Sequence, residues 1–381
     1  MSESKSAKPG PRSCVETTFA AAEHALHEAA IATAGGLDDF GDPSYLDGLR
    51  VVLEAYDRDS RQTSIGRFIA EHMTIGTLAS RLRTAAKIKE LDAAAVDGIR
   101  RPIFITGLVR TGSTALYHLI GSDPAVQHLP YWLTQAPQPR PPRDQWEAHP
   151  DYQRASSTIE AMYAADPKLK TIHTMTPGGA DESGPIFSQD FTDDSFLVNA
   201  RVPSYIRWYR DQHIVKTYEH HKKVLALIGR DTPEMRWILK YPVHLHHLPA
   251  LLEVHPDACI VHTHRDPAEV MSSYTSLVAT FRALQETDVD RREVAEEQLE
   301  LWASSCDRAL ALRKEEGDDR YMDLYFSDFQ DDPVGSVRKI YERFDVPVGE
   351  ESIEQLSAWA DAHPQHKHGK HEHSIDEAGI S

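Results

Sequence analysis

Apolar residues recur at helical spacing from about Val15 to Asp97, in Ala-rich and Leu-rich stretches broken at Gly35-Gly36 and at Asp42-Pro43-Ser44. The glycine pair reads as a stop and Asp-Pro-Ser as a restart, so this half predicts a cap of helices. After Pro102 the period changes. Ile103-Phe104-Ile105-Thr106 is a short unbroken run of the kind shown by a strand covered on both faces, and Gly107 follows at once. Strand-then-helix order returns twice. Trp237-Ile238-Leu239-Lys240 precedes a helix around His244 to Val254, and Cys259-Ile260-Val261-His262-Thr263-His264 precedes a helix from Pro267. Tyr321 to Phe326 predicts a further strand and Pro333 to Phe344 a further helix. Strands alternating with helices predict an α/β fold with a parallel sheet flanked by helices.

The expected organisation is a loose polar tail over 1–14, a helical cap over 15–100 and an α/β core over 101–381. Inside the core, 125–235 is rich in Pro near residues 137 to 142 and mixed in charge. It is expected to lay loops and helices over the open end of the sheet, where ligands of such folds bind.

A chain of 381 residues has ample length for a buried core, and 40% hydrophobic with 26% charged residues excludes wholesale disorder. The formal net charge of −18 argues against a nucleic-acid partner, which needs clustered Lys and Arg against phosphates. An anionic ligand must then be met by a local basic pocket. Cys14, Cys259 and Cys306 are odd in number and far apart, so they offer neither a disulfide framework nor a CxxC site, and a reducing cytoplasm fits them. The opening MSESKSAKPGPRS lacks the apolar stretch of a secretory signal. Nowhere is there a run of about 18 apolar residues, so no membrane span is expected. Nothing in the pattern sets an oligomeric state.

The chemistry concentrates after the first strand. Gly107-Leu108-Val109-Arg110-Thr111-Gly112-Ser113-Thr114 has the glycine spacing of a phosphate-binding P-loop and opens a helix over Ala115 to Ile120, so backbone N–H groups would surround an anion. The seventh position, where nucleotide triphosphatases keep a Lys for the β and γ phosphates, is Ser113. That argues against ATP or GTP hydrolysis and against a P-loop kinase, the main alternative within this fold class. The basic side chain sits instead at Arg110, on the turn, where it would face a group being transferred. A second candidate anion site is His264-Arg265-Asp266-Pro267-Ala268-Glu269-Val270-Met271-Ser272-Ser273, with Arg265 just past a strand and Ser273 about two turns into the next helix.

These two segments resemble the sulfotransferases that use 3′-phosphoadenosine 5′-phosphosulfate (PAPS), in particular a bacterial branch with a G-L-P-R-[ST]-G-[ST]-T loop and a later H-R-D-P-x-E-V-x-x-S segment. The resemblance implies a P-loop-type fold and transfer of a sulfuryl group from PAPS to a hydroxyl of a small-molecule acceptor. It implies that Gly107, Arg110, Thr111, Gly112, Ser113 and Thr114 hold the 5′-phosphosulfate, and that Arg265 and Ser273 hold the 3′-phosphate. Phe326, in Phe326-Ser327-Asp328-Phe329-Gln330-Asp331-Asp332-Pro333, falls where the family places a tyrosine near the adenine. Lys370 joins the cofactor set from the closing segment, which continues from His371 to Ile380. Gly36 to Gly41 is similar to part of the family's N-terminal cap, and the likeness runs from about residue 30 to 380. The chain departs from the family pattern at Val109, Phe326 and His373.

Sulfuryl transfer needs in-line attack, positive charge on the leaving oxygens and a base for the acceptor's proton. Arg110 suits the leaving group because a guanidinium stays charged and can hold two oxygens. Lys240, at a predicted strand end, resembles the family lysine that contacts the sulfate. The histidine that animal relatives use two residues later is Pro242 here. The candidate bases are therefore His173, Asp181, Glu182 and His244, with Glu182 preferred and His173 second, because Gly178 to Gly184 is a glycine-flanked acidic loop. The tail histidines His363, His366, His368, His371 and His373 raise zinc or nickel binding as a rival, but they also fit the closing segment, and no metal is expected.

Overall fold

A computed structural model describes residues 13–165 and 175–363. His173, Lys370 and the tail histidines from His366 onward lie outside these residues.

Five parallel strands form one sheet: β1 (Ile103–Gly107), β2 (Val126–Gln127), β3 (Arg236–Lys240), β4 (Cys259–His264) and β5 (Tyr321–Tyr325), in the order β2-β3-β1-β4-β5. Ile105 pairs with Lys240 on one side of β1, and Gly107 with Thr263 on the other. The unbroken apolar runs have the expected consequence. Phe104, Leu239 and Ile260 join one core layer, whereas Ile103, Ile105, Ile238 and Val261 join the opposite one. Each fully buried side chain of this size contributes roughly 2–3 kcal/mol. The second layer is completed by helices Ser113–Ile120, Pro333–Arg343 and Glu350–Ala362. The first is completed by most of the remaining helices, including the N-terminal Glu23–Thr33, Tyr45–Arg58 and Ser64–Ile88. Among the described residues no helix is long and apolar enough to cross a membrane.

Local signals behave as their chemistry requires. Gly35 and Gly36 both adopt positive φ (+76° and +91°) and stop the first long helix, and the Asp42 carboxylate accepts from Ser44 N–H just before the next. Asp266 caps the Pro267–Ala283 helix by accepting from Ala268 N–H at 2.8 Å.

Three expectations change in detail. The single helix expected around His244 to Val254 is a 3₁₀ turn, Pro242–His247, followed by Leu248–Val254, because each piece starts at its own proline. The strand expected to reach Phe326 ends at Tyr325, and Phe326 opens a short helix. Within 125–235, Val126–Gln127 adds an edge strand against β3, which two residues cannot announce by periodicity.

The first core layer carries five buried histidines: His221, His244, His246, His247 and His255. His244 and His255 pack on the Phe104 ring at 5.0 and 5.3 Å. Burial, then neighbouring histidines, holds His244 and His255 far below the ordinary imidazole range, so both are neutral in the folded chain. An unfolded chain binds protons at these sites below about pH 6.5, so stability falls as pH drops through that value. Removing one such group removes its share. Between pH 7.5 and 5.5, urea denaturation should show His255→Gln losing about 1 kcal/mol less stability than wild type. Parallel losses in the two proteins would refute the assignment.

Candidate active site

Parallel strands deliver their carboxyl ends to one edge, and four neighbours in the sheet deliver the chemistry there. β3 ends in Lys240, β1 runs into the loop after Gly107, β4 is followed by Arg265, and β5 by Phe326. These ends open into a cavity of about 430 Å³ whose lining includes Arg110, Ser113, Thr114, Lys240, Arg265 and Phe326.

The loop folds into a concave turn through three positive φ values: Gly107 (+138°), Arg110 (+60°) and Gly112 (+82°). Such turns aim successive N–H groups at one point. Both glycines are also sterically required. A Cβ on Gly107 would fall 2.4 Å from Thr263 O, and one on Gly112 would fall 2.7 Å from the Phe326 ring. Thr111 spends its hydroxyl inside the fold, on Leu108 O at 2.9 Å and Thr263 Oγ1 at 2.7 Å, so of its polar groups the backbone N–H is left for a ligand. Helix Ser113–Ile120 starts directly behind the turn and adds the positive end of its dipole.

Arg110 has no acidic partner among the described residues. Its Nε donates to Ser273 Oγ at 3.3 Å, and burial, followed by the charge of Arg265, pushes its pKa down. Arg265 donates to Arg110 O at 3.2 Å, pairs with Glu269 at 2.7 Å and lies 4.6 Å over the Phe326 ring. Two guanidinium groups held side by side at a turn of free N–H groups are poised for a ligand with two anionic ends. Phe326 thus supports Arg265 and packs on Gly112, in the place where the sequence pointed to a cofactor ring.

Across the loop, strand alternation places Lys240 on the Ile238 face, toward the helix that follows the loop. Its Nζ reaches Thr114 Oγ1 at 3.0 Å and forms an ion pair with Glu182. Lys240 is buried, while Glu182 is partly exposed to the cavity. Glu182 is held there because Asp181 N–H bonds Leu129 O and Ser183 Oγ bonds His221 Nε2 at 3.0 Å.

The structure therefore brings together Arg110, Gly112, Ser113, Thr114, Glu182, Lys240, Arg265 and Phe326 around one cavity, with Ser273 touching Arg110. Gly107 and Thr111 shape the loop without lining the cavity, and two of the candidate bases fall away from it. His244 is fully buried against Phe104, with Nδ1 bonded to Tyr218 OH at 2.9 Å, and Asp181 is not part of the lining. Sequence reasoning missed Asp194, Tyr241 and Tyr274, which also line the cavity. The available signal was spacing: Tyr274 and Leu277, three residues apart on one helix, share a face with the cavity.

Comparison with known proteins agrees with this geometry. Residues 102–350 match the model of the sulfotransferase family, which covers the loop, Lys240 and Arg265. The chain belongs to the sulfotransferase family. It is similar to the sulfotransferase STF1 from Mycobacterium tuberculosis H37Rv, with 33% identity, TM-score 0.86 and 97% of each chain covered. It is also similar to the sulfotransferase STF9 from Mycobacterium avium, with 27% identity, TM-score 0.85, and 94% of this chain and 92% of that one covered. No curated protein matches. The enzyme is a PAPS-dependent sulfotransferase with the α/β fold of that family, and Ser113 in place of the triphosphatase lysine leaves the kinase alternative unsupported. The family generally uses PAPS as donor and acts on small molecules.

The two loop glycines of this sulfotransferase should not tolerate alanine equally. Gly107→Ala meets the backbone of β4 at a φ closed to L-residues, and should cost about 3 kcal/mol or more. Gly112→Ala meets a ring that can swing, and should cost about 1–2 kcal/mol. Chemical denaturation measures both, and the reverse order would contradict the packing described.

Proposed function

We propose that this sulfotransferase holds the 5′-phosphosulfate of PAPS on the turn Gly107 to Thr114 and its 3′-phosphate on Arg265 and Ser273, and sulfates a hydroxyl of a small uncharged acceptor. The observation that carries this is the pair Arg110 and Arg265, adjacent at the ends of β1 and β4, with Arg110 lacking any carboxylate among the described residues. When bound, PAPS supplies a sulfuryl group on a good leaving group. The −18 net charge supports a small acceptor over a nucleic acid, and the three unpaired cysteines suit a cytoplasmic setting.

Each residue then has a physical task. Arg110 offers a permanent charge to the oxygens that gain charge as the bridging S–O bond breaks, and its desolvation strengthens that attraction. Glu182 takes the proton from the acceptor hydroxyl as the new S–O bond forms. Lys240 touches both Glu182 and Thr114, so it fixes the base beside the loop and adds a second cation there. Arg265, braced by Glu269 and Phe326, anchors the nucleotide so that its sulfuryl end is presented in line.

Arg110→Ala should reduce transfer at least 100-fold, whereas Arg265→Ala should chiefly weaken adenosine 3′,5′-bisphosphate binding, by roughly 10- to 100-fold in calorimetry. Wild-type values in both variants would sink the assignment. Glu182→Gln should lower kcat by roughly 10²–10⁴ while bisphosphate affinity stays at the wild-type value, and unaltered turnover would return the base role to His173.

A further inference from the structure

The cavity has a wall that the transfer chemistry does not use. Asp194 and Val198 stand four residues apart at a short helix, Ser195–Asn199, and Tyr274 and Leu277 stand three apart on Pro267–Ala283. Helical spacing therefore sets one polar and one apolar side chain from each element side by side. Among the described residues the Asp194 carboxyl is tied by hydroxyls. Tyr241 OH bonds its Oδ1 at 2.8 Å, and Tyr274 donates to the same carboxyl. Behind it the buried Asp193 also contacts Tyr241 OH, and accepts from Ser188 Oγ at 2.6 Å and Ser195 Oγ at 2.5 Å.

A phenol carries one proton, so Tyr241 cannot donate it fully to both carboxyls. Asp193 has the richer set of donors, so its charged form is the better stabilised of the two and a proton is favoured on Asp194. Neither has an ion-pair partner among the described residues. The charged or titratable groups acting most strongly on Asp194 are Asp193, Glu182, Tyr241 and Tyr274, and the cations that line the same cavity, Arg110, Lys240 and Arg265, form no ion pair with it among the described residues. Burial, then the Asp193 charge, raises the Asp194 carboxyl in agreement with this count.

We propose that this wall selects the acceptor: Asp194 with Tyr274 binds a second hydrogen-bonding group beside the hydroxyl to be sulfated, while Val198 and Leu277 take the acceptor's apolar body. The inference rests on the sulfotransfer reading of the same cavity and names its substrate class, an uncharged alcohol or phenol with a neighbouring hydroxyl or N–H. An uncharged carboxyl offers a hydrogen-bond acceptor without adding a charge to the apolar wall. Acceptors bearing a carboxylate are disfavoured, because they would lie against Asp193 and Glu182.

The test is kcat/KM with PAPS for matched pairs, phenol against catechol and cyclohexanol against its vicinal diol. Wild type should favour the dihydroxy member about tenfold. Asp194→Leu should bring the ratio to about one, Tyr274→Phe should lower it, and Asp194→Asn, which keeps the shape and an oxygen acceptor, should retain most of it. Absence of the preference in wild type, or a ratio that survives in both Asp194→Leu and Tyr274→Phe, overturns the proposal. Bisphosphate calorimetry on the same samples separates the two levels. Lost bisphosphate binding in wild type would sink the PAPS reading itself, whereas intact binding without a diol preference sinks only the acceptor wall.

Discussion

The site depends on how closely β1 approaches β4. Their in-register pairing runs from Ile103 with Cys259 to Gly107 with Thr263, and at its end there is no room for a side chain. That approach lets the chain turn sharply over the strand ends, and the Thr111–Thr263 hydroxyl contact locks the turn against β4. Since Arg265 leaves β4 two residues after Thr263, the same pairing brings its guanidinium to the Arg110 carbonyl. One packing constraint thus fixes the shape of the loop and the spacing of its two cations.

Those cations are costly to hold together. Each guanidinium disfavours the other, and partial burial removes the water that would screen them. The fold offsets this with the Phe326 ring, the Glu269 carboxylate and the Ser273 hydroxyl, of which only Glu269 is charged. The remaining positive potential is directed into a cavity on a chain that is otherwise strongly acidic. On the opposite side, carboxyls accumulate instead: Glu182 compensated by Lys240, and Asp193 and Asp194 by hydroxyl donors. The cavity is therefore polarised, with a cationic end suited to a nucleotide and an opposite end of carboxyls and hydroxyls that admits no anion.

Much of this was legible in the sequence because it is local. Unbroken apolar runs mark strands buried on both faces, Gly107 and Gly112 mark a turn that needs positive φ and close approach, and a proline after Asp266 marks a helix start. The two candidate anion-binding segments each follow a strand immediately, so their location at the carboxyl edge follows from parallel topology alone. The left-handed conformation of Arg110 was not legible, since an arginine gives no local hint of it.

What the sequence by itself determined is the four longer strands, the loop and the pair of cationic segments, for each is written within a dozen neighbouring residues. Only the tertiary structure decided what meets them. Lys240 and Glu182 are 58 residues apart, and their ion pair exists because the inserted segment crosses the end of β3. The stacking of Phe326 under Arg265, the removal of His244 into the core and the meeting of Asp193 and Asp194 at Tyr241 OH likewise depend on which surfaces the long connections cover. Periodicity encodes the conformation of a segment; which groups share a low-dielectric cavity is set by packing between segments distant in the chain, and that cavity governs their charge.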